Sequence, residues 1–353
     1  MNLLFGIIPS PYRMDFYKVL HERVACRFYF RDKSSGDVAF DLEEVRRSCP
    51  FPVGHYHAGW GLGSLLRLHR IIREEKPGVV FVSEFSVTTL QVLLLRRFSR
   101  FSFKVVSICD DSPDMIAGND FGWMHRLARR IVPRRLDNLV LTNAGALDWY
   151  RHRFGKGILM PILADETRVR AALARVLPLS ERIRPTQKPI VAYVGRFIAL
   201  KNLSTLVRAM QPLRDRMQLV FIGDGPERER LLSQAPWALF PGSLSGDDLL
   251  AWYDLVDVLV LPSFQEAYGA VTGEALMAGA QVIVSRKAGS SELVREGENG
   301  FVVDPDDSEG ITRCLESLLG SLEDGRTLSL RANLHPYRFI GCMAGFIQEI
   351  NSL

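Results

Sequence analysis

Cysteine is scarce in this sequence and is never spaced as CxxC or CxH. The five present (Cys26, Cys49, Cys109, Cys314 and Cys342) are an odd number. Neither a disulfide framework nor a thiolate zinc site is indicated, and reduced thiols in a cytoplasmic setting are expected. No apolar run reaches the ~18 residues of a membrane span. The opening MNLLFGIIPSPYR is apolar but lacks a basic flank, and Pro9 and Pro11 close it early, so no signal peptide is expected. Low-complexity tracts are absent too, which excludes a fibrous or linker-like chain.

What is present is an ordinary globular composition, 47% hydrophobic and 24% charged, over 353 residues. That length favours two domains. The net charge of +4 is unevenly spread: residues 1–170 hold 26 Lys and Arg against 18 Asp and Glu, and the remainder 18 against 22. A basic first half suits phosphates or an anionic surface.

Short apolar runs alternate with amphipathic stretches. NLLFGII, CRFYF, GVVFVS, KVVSIC and LVLT read as strands of the first half; PIVAYVG, QLVFIG, DVLVLP, QVIVS and GFVV read as strands of the second. Helical patterns over 64–76, 87–97, 122–135 and 143–153 lie between those of the first half. This alternation reads as parallel sheets covered on both faces. It breaks over 165–188, which carries charge and two prolines but no strand, and is expected to be a linker. In such doubly wound domains ligands sit beyond the carboxyl ends of strands, so a site between two such ends is expected.

Several motifs fall at those ends. YVGRFIALKN places Arg196 and Lys201 on a strand-to-helix loop, where cations suit a pyrophosphate. FIGDGPERERL lacks the full GxGxxG, and a tight turn with Pro226 at a helix start explains it. SFQEAYGAVTGEALMAG sets Glu266 and Glu274 eight residues apart. Ser263 and Glu266 also fit a capping box. Gly269 argues against that reading, and a helix from about Ala270 would carry Glu274 in its first turn, where it could offset the helix dipole.

The Glu266-x7-Glu274 series resembles the signature of the GT-B-fold retaining glycosyltransferases, most closely glycosyltransferase family 4 (glycosyl transferases group 1). GRF-x3-KN and FIGDGPERERL precede it and VIVS-x3-GSSELVREGENGFVVDP follows it, so the resemblance is strong over about 190–305. IIPSPYRMDFYKVL and HPYRFIGCMAGFIQEI resemble the first strand–helix unit and the C-terminal helix of the family.

The resemblance implies an α/β GT-B fold: two doubly wound Rossmann-like domains facing across a cleft. Residues 1–168 would bind the acceptor, 169–335 the nucleotide sugar, and 336–353 would form a helix returning to the first domain. Arg196 and Lys201 would hold the donor diphosphate. Glu266 would bind donor-sugar hydroxyls, and Glu274 the ribose. Gly223, Leu244, Tyr268, Gly269, Ala270 and Val271 would line the donor site, with backbone N–H groups around Gly269 near the distal phosphate or sugar. Pro9-Ser10-Pro11-Tyr12-Arg13 lacks the Gly-Gly pair of many members, which opens the way to a different acceptor, with Tyr12 and Arg13 as acceptor contacts. Where many members have a histidine near the reacting carbon, VVSICDDSPD offers Asp110 and Asp111, to orient the acceptor hydroxyl or stabilise an oxocarbenium-like state; capping of the next helix is the alternative. Glu84 is a further strand-end carboxylate on the acceptor side.

No cofactor is expected, and no metal. Asp304-Pro305-Asp306 is formally DxD but follows the last strand, where the family has an ordinary turn. The Asn202-Leu203-Ser204 sequon reads as accidental. The basic, apolar segments 93–104 and 124–138 are expected either to lie on an anionic membrane surface or to bury their apolar side in the core. A nucleotide-diphosphate sugar (UDP- or GDP-linked) and a glycan or lipid-linked acceptor are the expected partners; nucleic acid is not. A GT-B nucleotide-sugar epimerase and a non-catalytic nucleotide-sugar-binding subunit stay open as alternatives.

Overall fold

The computed structural model describes residues 1–7, 9–31, 45, 49–118, 122–322 and 330–353. The chain folds as two units, Met1–Ala164 with Phe339–Leu353, and Asp165–Arg338.

The first unit is built on a seven-stranded sheet: β1 (Asn2–Gly6), β2 (Cys26–Arg31), β3 (Val53–Tyr56), β4 (Val79–Ser83), β5 (Lys104–Cys109), β6 (Asn138–Leu141) and β7 (Ile158–Leu159). Its order is β3-β2-β1-β4-β5-β6-β7, and every pairing is parallel. A parallel strand covered on both faces must be apolar throughout, and Leu3, Leu4, Phe5, Val80, Phe81 and Val82 are all buried accordingly. The C-terminal helix Phe339–Asn351 belongs to this unit. Its Phe346 meets Phe16 edge-on, with ring centroids 5.3 Å apart, and lies 6.3 Å from Phe81.

The second unit holds β8 (Ile190–Val194), β9 (Gln218–Ile222), β10 (Leu239–Gly242), β11 (Val258–Leu261), β12 (Gln281–Ser285) and β13 (Gly300–Val303), in the order β10-β9-β8-β11-β12-β13, again parallel. The same kind of clamp occurs within each sheet. Asp257, just before β11, accepts from the Ile190 N–H at 2.8 Å and donates its own N–H to the Ile190 carbonyl at 2.9 Å. Asp137, just before β6, does the same to Val105 at 2.8 and 2.9 Å. Each aspartate satisfies backbone groups at a strand start that the ladder leaves open.

The stretch expected to be a linker is largely a helix, Glu166–Ile183. Asp165 caps it by accepting from the Thr167 and Arg168 N–H groups. Val169, Ala172, Leu173, Val176 and Ser180 are buried at helical spacing, against the helix Gly246–Leu255. Pro178 and the charges on the outer face had masked that pattern.

In both sheets the strand order reverses beside a central strand, between β1 and β4 in the first and between β8 and β11 in the second. Loops at the carboxyl ends of those strands carry most of the residues singled out from the sequence.

Candidate functional site

In the second unit β8 ends at a turn in which Gly223 packs on Gly195. A Cβ at Gly223 would lie 2.0 Å from the Gly195 carbonyl oxygen, and its φ of 136° is itself a glycine conformation. The Tyr193 hydroxyl donates to the Arg196 carbonyl at 3.0 Å, fixing the turn on which half-buried Arg196 sits.

The chain then makes a 3-10 turn, Ala199–Lys201, ending at Asn202 with φ 55°. Asn202 is a clamp. Its Nδ2 donates to the Pro262 carbonyl at 3.2 Å and to the Pro305 carbonyl at 2.6 Å, while its Oδ1 accepts from Thr205 Oγ1 at 2.8 Å. The Phe264 N–H donates to the Leu200 carbonyl at 2.9 Å. The Lys201 turn is thereby stitched to the end of β11, and Lys201 Nζ pairs with Glu266 Oε2. Nothing in the sequence around Asn202 announces this role. The same bonds occupy the sequon amide.

Glu266 lies in extended chain. Its N–H donates to the Lys287 carbonyl at 3.2 Å, and its carbonyl accepts from the Gly289 N–H at 3.1 Å. No helix starts at Ser263, whose buried hydroxyl has no partner among the described residues, so the capping-box alternative does not hold. The helix Ala270–Met277 begins at Gly269, where φ is 90° and a Cβ would come within 2.6 Å of Leu261. No side chain caps its N-terminus, so the amides of its first turn are oriented to meet an anion.

Glu274 is the fifth residue of that helix, one turn later than expected. Its Oε2 accepts from the Tyr253 hydroxyl at 2.5 Å. Burial holds the Glu274 carboxyl above its usual range, and the Tyr253 bond opposes that rise. Val271 is half-buried in the first turn and Tyr268 is buried before it; Leu244 is half-buried in the loop after β10.

The first unit gathers a second group. Tyr12, Arg13, Glu84 and Asp110 line one cavity of about 230 Å³ beyond β1, β4 and β5. Arg13 pairs with Asp110. Glu84 has φ 49°, a conformation that strains a side-chain-bearing residue. Its carbonyl accepts from Ser107 Oγ at 2.8 Å and Thr89 Oγ1 at 2.9 Å, and its N–H donates to Ile108 O at 2.8 Å. These bonds hold the strained turn. Burial, then the charges of Asp110 and Asp111, push its carboxyl up to about 7.

Asp111 points elsewhere. It is buried, with Arg129 Nε and Nη2 donating at 3.0 and 2.7 Å and the Tyr150 hydroxyl at 2.6 Å. The next helix is capped by Ser112, whose Oγ accepts from the Met115 N–H at 3.3 Å, not by either aspartate.

Among the described residues, no three His, Cys, Asp or Glu side chains are grouped to hold a metal ion. Asp304 pairs with Arg286 at 3.3 Å and its carbonyl accepts from the Asp307 N–H at 3.1 Å, so Asp304-Pro305-Asp306 is a turn. Among the described residues no helix is long and apolar enough to cross a membrane.

Two doubly wound parallel-sheet units, with a C-terminal helix returning to the first, define the GT-B fold. HepE of Anabaena, solved in complex with UDP, superposes over 100% of both chains with a TM-score of 0.79 at 14% identity. Residues 188–321, within the second unit, match the family model described as "Glycosyl transferases group 1". The chain is 37% identical over 143 residues to the sulfoquinovosyl transferase SQD2 of Arabidopsis thaliana, covering 39% of this chain and 28% of that protein. It is 33% identical over 162 residues to a GDP-mannose-dependent alpha-mannosyltransferase of Mycolicibacterium smegmatis, covering 45% and 40%. The chain thus spans less than half the length of these relatives.

Proposed function

We propose that the chain is a retaining glycosyltransferase that moves a sugar from a UDP- or GDP-sugar to a hydroxyl of a glycan or lipid-linked acceptor in cell-surface polysaccharide or glycolipid synthesis. The observation that carries this reading is the Lys201–Glu266 pair at the carboxyl ends of β8 and β11, with Glu274 in the helix that follows. Lys201 and Arg196 meet the diphosphate and stabilise the charge that builds on it as the sugar leaves, an effect commonly worth about 10²–10³ in rate per group. Glu266 then accepts from sugar hydroxyls. Glu274, oriented through one oxygen by Tyr253, offers the other to the ribose. The amides at Gly269, Ala270 and Val271 face the distal phosphate or sugar, and Gly223 and Leu244 flank the nucleotide. Side-chain cations serve in place of a metal.

The acceptor hydroxyl binds at the cavity of the first unit, where Glu84, Asp110, Arg13 and Tyr12 supply hydrogen-bonding groups. Asp110 and Glu84 are the carboxylates placed to orient it, since both oxygens of Asp111 are engaged internally. In this reading the protein works on the cytoplasmic face of a membrane as a peripheral protein, through its basic first unit.

The test is nucleotide release from a panel of UDP- and GDP-sugars, with and without glycan and polyprenyl-linked acceptors, followed by NMR of the product anomer. Acceptor-dependent release with unchanged anomeric configuration is expected. Donor conversion without acceptor would mean an epimerase; binding without turnover would mean a scaffold subunit.

A further inference from the structure

The helix Trp123–Ile131 is turned inside out. Its apolar residues Trp123, Met124, Leu127 and Ile131 are 67, 66, 48 and 46% exposed, while the one residue it buries is Arg129. An amphipathic helix on a globular surface normally does the reverse. Of the segment 124–138, Met124, Leu127 and Ile131 thus stay outside the core, whereas Val132 and Leu136 are buried in it.

Two hollows adjoin this helix. One, of about 290 Å³, is lined by Arg126, Arg130 and Arg153 together with Trp149, Pro113 and Ile116. The other, of about 330 Å³, is lined by Trp123, Leu127 and the same Arg126 and Arg130. Arg129 also borders the first, but Asp111 neutralises it. Arg126 and Arg130 form no ion pair among the described residues, and the guanidinium of Arg153 lies over the Trp149 ring, 5.3 Å from its centroid. Among the described residues, three cations thus line a hollow whose wall holds no carboxylate, directly beside an exposed apolar stripe. The second basic segment adjoins the first: Arg96 Nη2 donates to the Arg135 carbonyl at 2.5 Å.

A soluble anion would use the arginines but leave the stripe in water, and an apolar protein partner would leave the arginines unpaired. An anionic lipid matches both. We propose that Arg126, Arg130 and Arg153 bind the phosphate of an anionic membrane lipid in the hollow over Trp149, with Trp123, Leu127 and Ile131 entering the acyl boundary beside it. This rests on the peripheral-membrane reading above and not on the transfer chemistry.

The experiment is co-sedimentation of the full chain with vesicles of phosphatidylcholine alone and of phosphatidylcholine with phosphatidylglycerol, with inorganic phosphate as soluble competitor. Wild type should bind the anionic vesicles only, and about 0.5 M salt should weaken binding. A basic side chain near an anionic surface strengthens binding about fivefold, so Arg126→Gln, Arg130→Gln and Arg153→Gln together should weaken it by about 100-fold. Trp123→Ser with Leu127→Ser should weaken it with the arginines intact. Nucleotide affinity, measured by calorimetry, should be unchanged in both variants, which shows that they fold and separates this test from the donor site. Wild-type vesicle binding by the triple arginine variant would overturn the proposal. So would equal binding to neutral vesicles, or release of the wild type from anionic vesicles by millimolar inorganic phosphate at constant ionic strength.

Discussion

Arg129 with Asp111 in the first unit, and Lys201 with Glu266 in the second, are ion pairs just past the ends of parallel strands. Their surroundings differ. Arg129 and Asp111 are 4 and 5% exposed, and two guanidinium bonds and the Tyr150 hydroxyl satisfy the carboxylate. Burial holds the Tyr150 hydroxyl well above its ordinary range, so it stays a donor. Lys201 and Glu266 are 15 and 19% exposed, joined by a single ammonium contact, and held in place by backbone bonds and the Asn202 clamp rather than by further partners. The first pair is a strut, with both carboxylate oxygens engaged inside the unit. The second keeps donors and acceptors in reserve at a strand end.

Breaking the strut should have the largest effect. Asp111→Asn leaves Arg129 charged and buried, which typically costs about 3–5 kcal/mol of stability. Chemical denaturation should show that loss, with the surviving folded fraction still binding nucleotide. Full stability with abolished turnover would reverse the comparison and return Asp111 to the reaction.

In the second unit, Lys201→Ala and Arg196→Ala should instead leave stability nearly intact and lower turnover at least ~100-fold, since loss of an electrostatic donor costs about 2.7–4 kcal/mol in the transition state. Near-normal rates in both variants would remove the diphosphate assignment.

The two glutamates sharpen this further. Glu274→Gln should weaken free nucleotide and intact donor alike, because both contain the ribose. Glu266→Gln should spare nucleotide affinity and depress transfer by about 10²-fold, since misplacement of the reacting group alone has that size. Because Glu274 titrates above the usual carboxylate range, wild-type nucleotide affinity should fall on acidification at a higher pH than an ordinary glutamate would give. Calorimetry across pH with the nucleoside diphosphate checks both; equal losses in the two variants contradict the division of roles.

The units also differ in how far they could be read from the sequence. The second was legible because its strands are unbroken apolar runs and because Arg196, Lys201, Glu266 and Glu274 lie on short loops between them. Proximity in space there follows from proximity to a strand end. Its edge strand β10, LFPG, was missed because it contains a proline and is only half-buried. In the first unit, β3 and β7 escaped for similar reasons, being short edge strands. The adjacent Asp110 and Asp111 looked equivalent, but neighbouring residues leaving a strand point in opposite directions, one to Arg13 in the cavity and one to Arg129 in the interior. No local pattern announces that Arg129 is buried while Trp123 is not. That inversion depends on which partner, Asp111, the tertiary fold supplies.

Glu84 offers a smaller, pH-dependent test within the first unit. Its folded carboxyl titrates at about 7 against 4.5 for an ordinary glutamate. Below about 4.5 both states are protonated and burial carries no penalty; the penalty grows through the window between and is complete above about 7. Glu84→Gln should therefore stabilise the protein by about 1–3 kcal/mol in alkaline solution and not at all in acid. Urea denaturation at both extremes measures this. A gain independent of pH would show that the buried charge is not what the substitution relieves.

The smallest expected effect is that of chelation. A metal-dependent donor site needs grouped oxygen or nitrogen ligands close to the diphosphate. Here the acidic pair with the right spacing, Asp304 and Asp306, belongs to a turn whose central Pro305 carbonyl is taken by Asn202 and whose Asp304 faces Arg286. In the proposed reading the cations that meet the diphosphate are Arg196 and Lys201, which carry their charge without a bound ion. EDTA should thus change the transfer rate by less than about twofold, against the ~100-fold expected for Lys201→Ala. Complete loss on chelation, restored by manganese, would mean that Lys201 is not the group that meets the leaving diphosphate. The contrast drawn between the two ion pairs would then need a different second member.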